Sequence, residues 1–212
     1  MTGVTSRAAG DRWPARRGRY HHGDLRDALV ETAIALLGER GPAAFSMAEA
    51  SRRLGVAPSA PYRHFADRDA LLAAVAVRAA GLLSERLGQV AASGSPAQRL
   101  AAAAEAYVRF ADEQRALFQA LAGSGLDKDR HPEIAQAARP IGALFFSAAA
   151  ELAGGDQPAA ARLVSAVVAT AHGHATLMLD GTFGSGPQAA EAAARHAAAA
   201  ALALVDGRQA LA

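Results

Sequence analysis

The chain is predicted to be all-α, and three features of the sequence carry that prediction. Of its 212 residues 51% are hydrophobic but only 5% aromatic, with alanine, leucine and arginine dominant and the strand-favouring β-branched and aromatic residues scarce. Apolar residues recur three and four apart over long windows, which is the period of a helix face. Glycine and proline cluster between those windows, and no segment reads convincingly as a strand. The length fits one large or two small units, and two is the better fit.

Residues 1–19 mix Gly, Arg, Pro and Ser around a single Trp13 and lack periodicity, so they read as a flexible basic arm bearing Arg16, Arg17 and Arg19. From Asp24 the stripe Leu25, Leu29, Ala33, Leu36 and Leu37 predicts a first helix, stopped at Gly41-Pro42. Ser46-Met47-Ala48-Glu49 is spaced as a capping box: the serine oxygen takes the amide of Glu49, and the glutamate reaches back to the amide of Ser46. The helix it opens should end at Gly55, where a tight turn needs positive φ. A third helix is predicted from Pro58, with Pro61 close enough to the start to be tolerated.

Asp67 then caps a long fourth helix to about residue 92, with Leu71, Leu72, Val75, Leu82, Leu83 and Leu87 as its inner face. Ser93-Gly94-Ser95-Pro96 breaks the chain. Further helices are predicted at about 96–111, 113–122, 132–153, 157–180 and 188–206, separated by glycine-rich joints. The resulting organisation is an arm over 1–19, a three-helix unit over 20–68 and a larger helical unit over 69–212.

Charge is divided unevenly. Residues 1–68 hold eleven arginines against seven acids, whereas 69–212 hold eleven basic residues against thirteen acids. A basic front end suits a polyanion partner, although a solvated tail is the plain alternative. The absence of cysteine excludes disulfides, thiolate metal sites and a cysteine nucleophile. The N-terminus has no apolar run behind its arginines, and the stretch from Leu163 to Leu179 is short and interrupted by His172, Gly173 and His174, so a soluble, cytoplasmic protein without membrane contact is expected. No nucleophile elbow, phosphate loop or metal-spaced cluster is present, and neither an enzyme nor a cofactor is expected. His172 and His174 lie two apart on a helix and point to different faces, which argues against a shared metal.

The segment Val56 to Phe65 combines a glycine turn, a short second helix and groups suited to base edges and phosphates, in a stretch too small to be a core by itself. That is the composition of a helix-turn-helix head reading DNA. The head resembles the tetracycline-repressor (TetR) family of bacterial regulators across residues 18–72: Tyr20 to Leu25, Gly41-Pro42, Ser46, Leu54-Gly55-Val56, Pro61 to Phe65, and Asp67 to Leu72. Further on, Ala171 to Leu177 followed by Asp180-Gly181 is similar to the tryptophan-histidine-glycine type of TetR ligand-binding domain, with Val168 standing where that type carries tryptophan.

The resemblance implies that Pro58, Ser59, Ala60, Tyr62 and Arg63 face bases and that Ser46, Tyr62, His64 and Arg68 hold phosphates. Arg63 suits bidentate readout of guanine, worth roughly 1–3 kcal/mol of discrimination. Ala57 sits where the family often has a serine cap. Phe65 reads as core; Tyr62 reads either as a phosphate contact or as a buried residue with a satisfied hydroxyl, and His64 either as a contact or as solvated.

Tyr107, Phe110, Phe118, Phe145 and Phe146 are the large aromatic side chains of an alanine-rich body; they read first as core and also as the natural lining of a pocket for a largely apolar effector, while His172 reads first as a buried, satisfied histidine and otherwise as a hydrogen-bonding group of that pocket. One head reads too few base pairs to select an operator. A two-fold homodimer spanning half-sites about 34–36 Å apart is therefore expected, and the resemblance places its interface on the helices at 157–180 and 188–206. The combined expectation is a transcriptional repressor released from double-stranded operator DNA by a small molecule. The rivals are a sequence-tolerant nucleoid-type DNA-binding protein, and a ligand carrier or enzyme with a vestigial head.

Overall fold

Caps and breakers fix the helix boundaries. In this computed structural model, which describes residues 22–41, 45–123, 125–127 and 129–211, the order is α1 (His22–Arg40), α2 (Met47–Leu54), a 3-10 turn (Pro61–Arg63), α3 (Arg68–Val90), α4 (Pro96–Glu113), α5 (Arg115–Ala122), α6 (Pro132–Leu152), α7 (Gln157–Leu179), α8 (Pro187–Asp206) and a closing 3-10 turn (Arg208–Leu211). No strand occurs among the described residues. The arm with Arg16, Arg17 and Arg19, and the residues Tyr20, His21 and Pro42, lie outside them.

Gly41 ends α1 at φ 72°, its N–H bonded to the Leu37 carbonyl at 2.9 Å. Asp67 caps α3 by accepting the Ala70 N–H at 2.8 Å, and Asp156 caps α7 through Ala159 at 3.0 Å. The reciprocal capping box predicted at Ser46 and Glu49 forms only by half: Ser46 Oγ accepts the Glu49 N–H at 3.2 Å. The Glu49 carboxylate is instead held by Arg52 at 2.9 and 2.6 Å, a charge-assisted pair that outcompetes a neutral amide. A complete capping box stands at Ser95 and Gln98, opening α4.

The third predicted helix is shorter than expected. No α-helix starts at Pro58; residues 57–60 form a turn, closed by the Ala60 N–H to the Ala57 carbonyl at 2.9 Å, and the following 3-10 turn covers only Pro61–Arg63. The cause is Pro61 itself. An α-helix from Pro58 would have used an N–H at position 61 to bond the Ala57 carbonyl, and proline has none.

α3 joins the two parts of the molecule. Its first turns, through Leu71, Leu72 and Val75, pack with Leu29, Ala33, Leu36 and Leu37 of α1, Met47 and Ala50 of α2, and Phe65; its later turns, through Leu83 and Leu87, belong to the body, and one buried cluster runs through both. Leu82, predicted on the inner face, is instead 36% exposed. The buried positions Leu72, Val75, Ala79, Leu83 and Leu87 follow the three-four spacing, which turns the residue beside Leu83 outward. In the body α8 packs on α4 and α7 with Ala193, Ala194, Ala197 and Ala201 all buried, small side chains that allow close helix approach. Arg109 of α4 bridges Glu105 and, at 2.5 and 3.0 Å, Glu191 of α8. Among the described residues no helix is long and apolar enough to cross a membrane.

Candidate nucleic-acid interface and effector cavity

Gly55, at φ 67°, closes α2 in a Schellman turn: its N–H bonds the Arg52 carbonyl at 3.2 Å and the Val56 N–H bonds the Ser51 carbonyl at 3.1 Å. The chain then reverses into the Pro58–Arg63 segment. The far end of that segment is fastened to the head by two buried residues, Pro61 and Phe65. Phe65 is 4% exposed, with the Arg26 guanidinium 5.1 Å from its ring centroid. The Pro61 carbonyl accepts both the His64 and Phe65 N–H groups, at 2.9 and 3.0 Å.

Between these anchors the candidate contact residues project outward. Pro58, Ser59 and Arg63 are exposed, Ala60 and His64 half-buried, and Tyr62 is 57% exposed, so Tyr62 is not the core residue that one sequence reading allowed. The other described arginines of the head are engaged: Arg53 with Glu39, Arg40 and Arg52 with Glu49, and Arg26 with Phe65. Arg68 donates from Nε to the Phe45 carbonyl at 3.2 Å and pairs with Asp69 at 3.3 Å, which ties the start of α3 to the stretch of chain before α2. Arg63 has no ion pair or hydrogen bond among the described residues. A guanidinium held out to solvent without a partner is available for a base edge or a phosphate. Ser46 is exposed and spends its oxygen lone pair on capping, which leaves its hydroxyl hydrogen free to donate.

In the body the structure brings Tyr107, Phe118 and His172 together. The Tyr107 hydroxyl is 3.1 Å from His172 Nδ1, the Phe118 and Tyr107 rings meet edge to face at 5.6 Å, and Phe118 lies 5.8 Å from the His172 ring. Burial pushes the Tyr107 hydroxyl pKa up to about 12, so this group stays a neutral hydrogen-bonding partner. Two cavities meet at this cluster, one of about 550 Å³ between α3, α4, α5, α6 and α7 and one of about 310 Å³ bounded by Phe118, Thr176 and Asp180. Both touch His172 and Ala122, and their sizes suit small molecules.

Phe110 and Phe145 are 2% and 1% exposed; neither they nor Phe146, which packs against the core, line these two cavities. The aliphatic walls at Leu83, Leu121, Ile134, Ile141 and Val168, and Arg139 at the rim, were not read from the sequence. Which face of each helix turns to a cavity depends on the crossing geometry, and periodicity alone leaves that open. His174 turns away from His172 to donate from Nδ1 to the Thr170 carbonyl at 2.9 Å.

A helix-turn-helix head joined through a shared helix to a hollow helical body defines a DNA-binding transcriptional regulator. Comparison with known proteins agrees. The family model described as bacterial regulatory proteins, tetR family, matches residues 29–75, and that described as tetracyclin repressor-like, C-terminal domain, matches residues 100–201. The chain belongs to the TetR family.

The fold is similar to a protein with unknown function from Rhodococcus sp. RHA1, at 30% identity and a TM-score of 0.71 over 87% of this chain and 97% of that one. It is also similar to a TetR-like transcriptional regulator from the same organism (18% identity, TM-score 0.65, covering 89% and 100%). A third likeness is to the TetR family transcriptional regulator PfmR from Thermus thermophilus (20%, 0.63, covering 82% and 97%). No curated protein matches the chain.

Proposed function

We propose that this TetR-family protein is a cytoplasmic, homodimeric repressor that leaves its operator when a small molecule enters the body. The observation that carries the reading is the Pro58–Arg63 segment, anchored by buried Pro61 and Phe65 while Tyr62 and Arg63, the latter without a partner among the described residues, stand outward. In a major groove this segment would give Arg63 to a guanine and Pro58, Ser59 and Ala60 to neighbouring base edges. Ser46, Tyr62, His64 and Arg68 would flank them at the phosphates. The protein acts by binding, without catalysis and without a cofactor. Its functional units divide near residue 68, with the head before and the effector and dimer unit after.

The outer faces of α7 and α8 support the dimer. Ser165, Ala169 and Leu177 on one helix and Ala199, Leu202 and Ala203 on the other are exposed, surfaces of small residues each with one leucine that would meet their copies in a four-helix interface. α5 and α3 supply the coupling. The same α5 that carries Phe118 and Ala122 to the cavities approaches α1 so closely that a Cβ on Gly38 would stand 3.8 Å from that of Ala116, and α3 runs from the cavity wall at Leu83 into the head. An effector that fits the conformation with misplaced heads better lowers operator affinity by linkage.

The test is a fluorescence-anisotropy titration on the DNA upstream of the chain's own gene. Binding should be specific and fall steeply with salt, and Arg63→Ala should cost roughly 1–3 kcal/mol on the operator and relax base preference at one position. Equal affinity for operator and unrelated DNA at moderate salt would overturn the reading.

A further inference from the structure

The two cavities that meet at His172 differ in charge. Among the described residues Arg139 is the one Lys, Arg, Asp or Glu lining the larger, and Asp180 the one lining the smaller. Arg139 sits on α6 at an exposed position, and its guanidinium has no ion pair or hydrogen bond among the described residues. The rest of the larger cavity is aliphatic apart from the Tyr107 hydroxyl and the His172 ring, which are bonded to each other. A long apolar wall with a single cation at its mouth matches a molecule built the same way with the opposite sign.

We propose that the larger cavity takes an apolar monocarboxylic acid, its carboxylate on Arg139 and its hydrocarbon body against Leu83, Leu121, Ile134, Ile141 and Val168. This rests on reading the cavity as the effector site. A guanidinium accepts a carboxylate in a bidentate grip, whereas a phosphate or diphosphate calls for several cations or a cradle of backbone N–H groups, and Arg139 is alone in this lining. Asp180 repels an anion from the smaller cavity and so fixes the acid's direction. An ammonium head would meet the wrong charge at the rim, and a neutral head would leave Arg139 unused.

Titration calorimetry on the full chain with octanoate, octan-1-ol and octylammonium tests this. Octanoate should bind roughly tenfold more tightly than octan-1-ol, a charge-assisted pair reduced by its exposure at the rim, and octylammonium should bind more weakly than the alcohol. Arg139→Gln should lower octanoate to the level of the alcohol without changing the alcohol's own affinity, and Arg139→Lys should keep part of the difference. The melting temperature, unchanged in both variants, confirms the fold.

Equal affinity for acid and alcohol, no binding of octanoate, or an Arg139→Gln variant that holds octanoate as before would each overturn the proposal. Anisotropy of the operator complex separates it from the reading beneath: octanoate held through Arg139 without any change in operator affinity leaves the ligand class standing and removes the ligand response. Release of the operator by a neutral compound, with no octanoate binding, does the reverse.

Discussion

Arg53 grips Glu39 with two hydrogen bonds, 2.7 and 2.6 Å long, and so ties α2 to the last turns of α1. The orientation of α2 relative to α1 sets where the Pro58–Arg63 segment emerges, so this clasp acts on the proposed DNA-reading surface without touching it. The Arg53 guanidinium holds the Glu39 carboxyl below its ordinary value of 4.5. A depressed carboxylate pKa contributes stability above the unfolded value that is lost as pH falls through the folded one. Glu39→Gln should therefore melt slightly below the parent at neutral pH, with the gap closing under acid. Thermal melts from pH 7 downward check this, and a gap that is constant across the range would refute the linkage.

The turn at Gly55 gives a backbone prediction. A Cβ there would meet nothing within 4 Å, so the penalty of Gly55→Ala is conformational alone, about 1–2 kcal/mol for placing an L-residue in the left-handed region. Gly81 is the matched control: it lies inside α3, also with open space around a Cβ. Gly81→Ala should raise stability by roughly 0.5–1 kcal/mol. Urea denaturation of the two variants should move in opposite directions.

Phe65 and Tyr62 are three residues apart and should separate stability from recognition. Phe65, 4% exposed, closes the head core, and Phe65→Ala should cost about 3–5 kcal/mol and lose operator binding with the fold of the head. Tyr62, 57% exposed, should tolerate Tyr62→Ala within about 0.5 kcal/mol of stability and still lose operator affinity. Paired denaturation and anisotropy measurements decide the matter. A Tyr62 variant that binds DNA as before would remove that residue from the interface.

Local rules made much of the head legible in the sequence. Ser46, Gly55 and Asp67 each impose a backbone geometry on their immediate neighbours, and each does what its residue type predicts. The misses share one physical cause, which is competition from residues distant in the chain or from a second rule nearby. Glu49 leaves its capping amide because Arg52, and Arg40 from another helix, offer charge. Pro61 overrides the helix that Pro58 would start. In the body, aromatic size marks Tyr107, Phe110, Phe118, Phe145 and Phe146 alike; the helix crossings bring Tyr107 and Phe118 to the two cavities that meet at His172 and leave Phe110 and Phe145 out of those two. Arg139 carries no local signal at all, since a surface arginine on a helix looks the same whether or not a cavity opens beside it.

The proposed dimer surface on α7 and α8 predicts a change of assembly without a change of fold. Leu177 and Leu202 are 41% and 40% exposed in the single chain, so Leu177→Glu and Leu202→Glu leave its core intact. In a four-helix interface each would bury an unpaired carboxylate twice over by symmetry. Light scattering behind size exclusion should show the double variant as a monomer, and its operator affinity should fall because two half-sites can no longer be held together. A dimer that survives both changes would place the interface elsewhere.

The Tyr107–His172 contact predicts an alkaline signature. Burial raises the Tyr107 pKa from 10.0 to about 12, so the folded chain keeps this proton after the unfolded chain has released it. The associated stability is fully present below pH 10.0 and declines as pH rises towards about 12. An ultraviolet titration should then show a late tyrosinate step that disappears in Tyr107→Phe. That variant also deprives His172 Nδ1 of its partner, at about 1 kcal/mol, and loosens the wall shared by the two cavities. Octanoate affinity should therefore shift modestly in Tyr107→Phe while its preference over octan-1-ol, which depends on Arg139, stays the same; a late step that persists without the hydroxyl would assign the raised pKa to another residue.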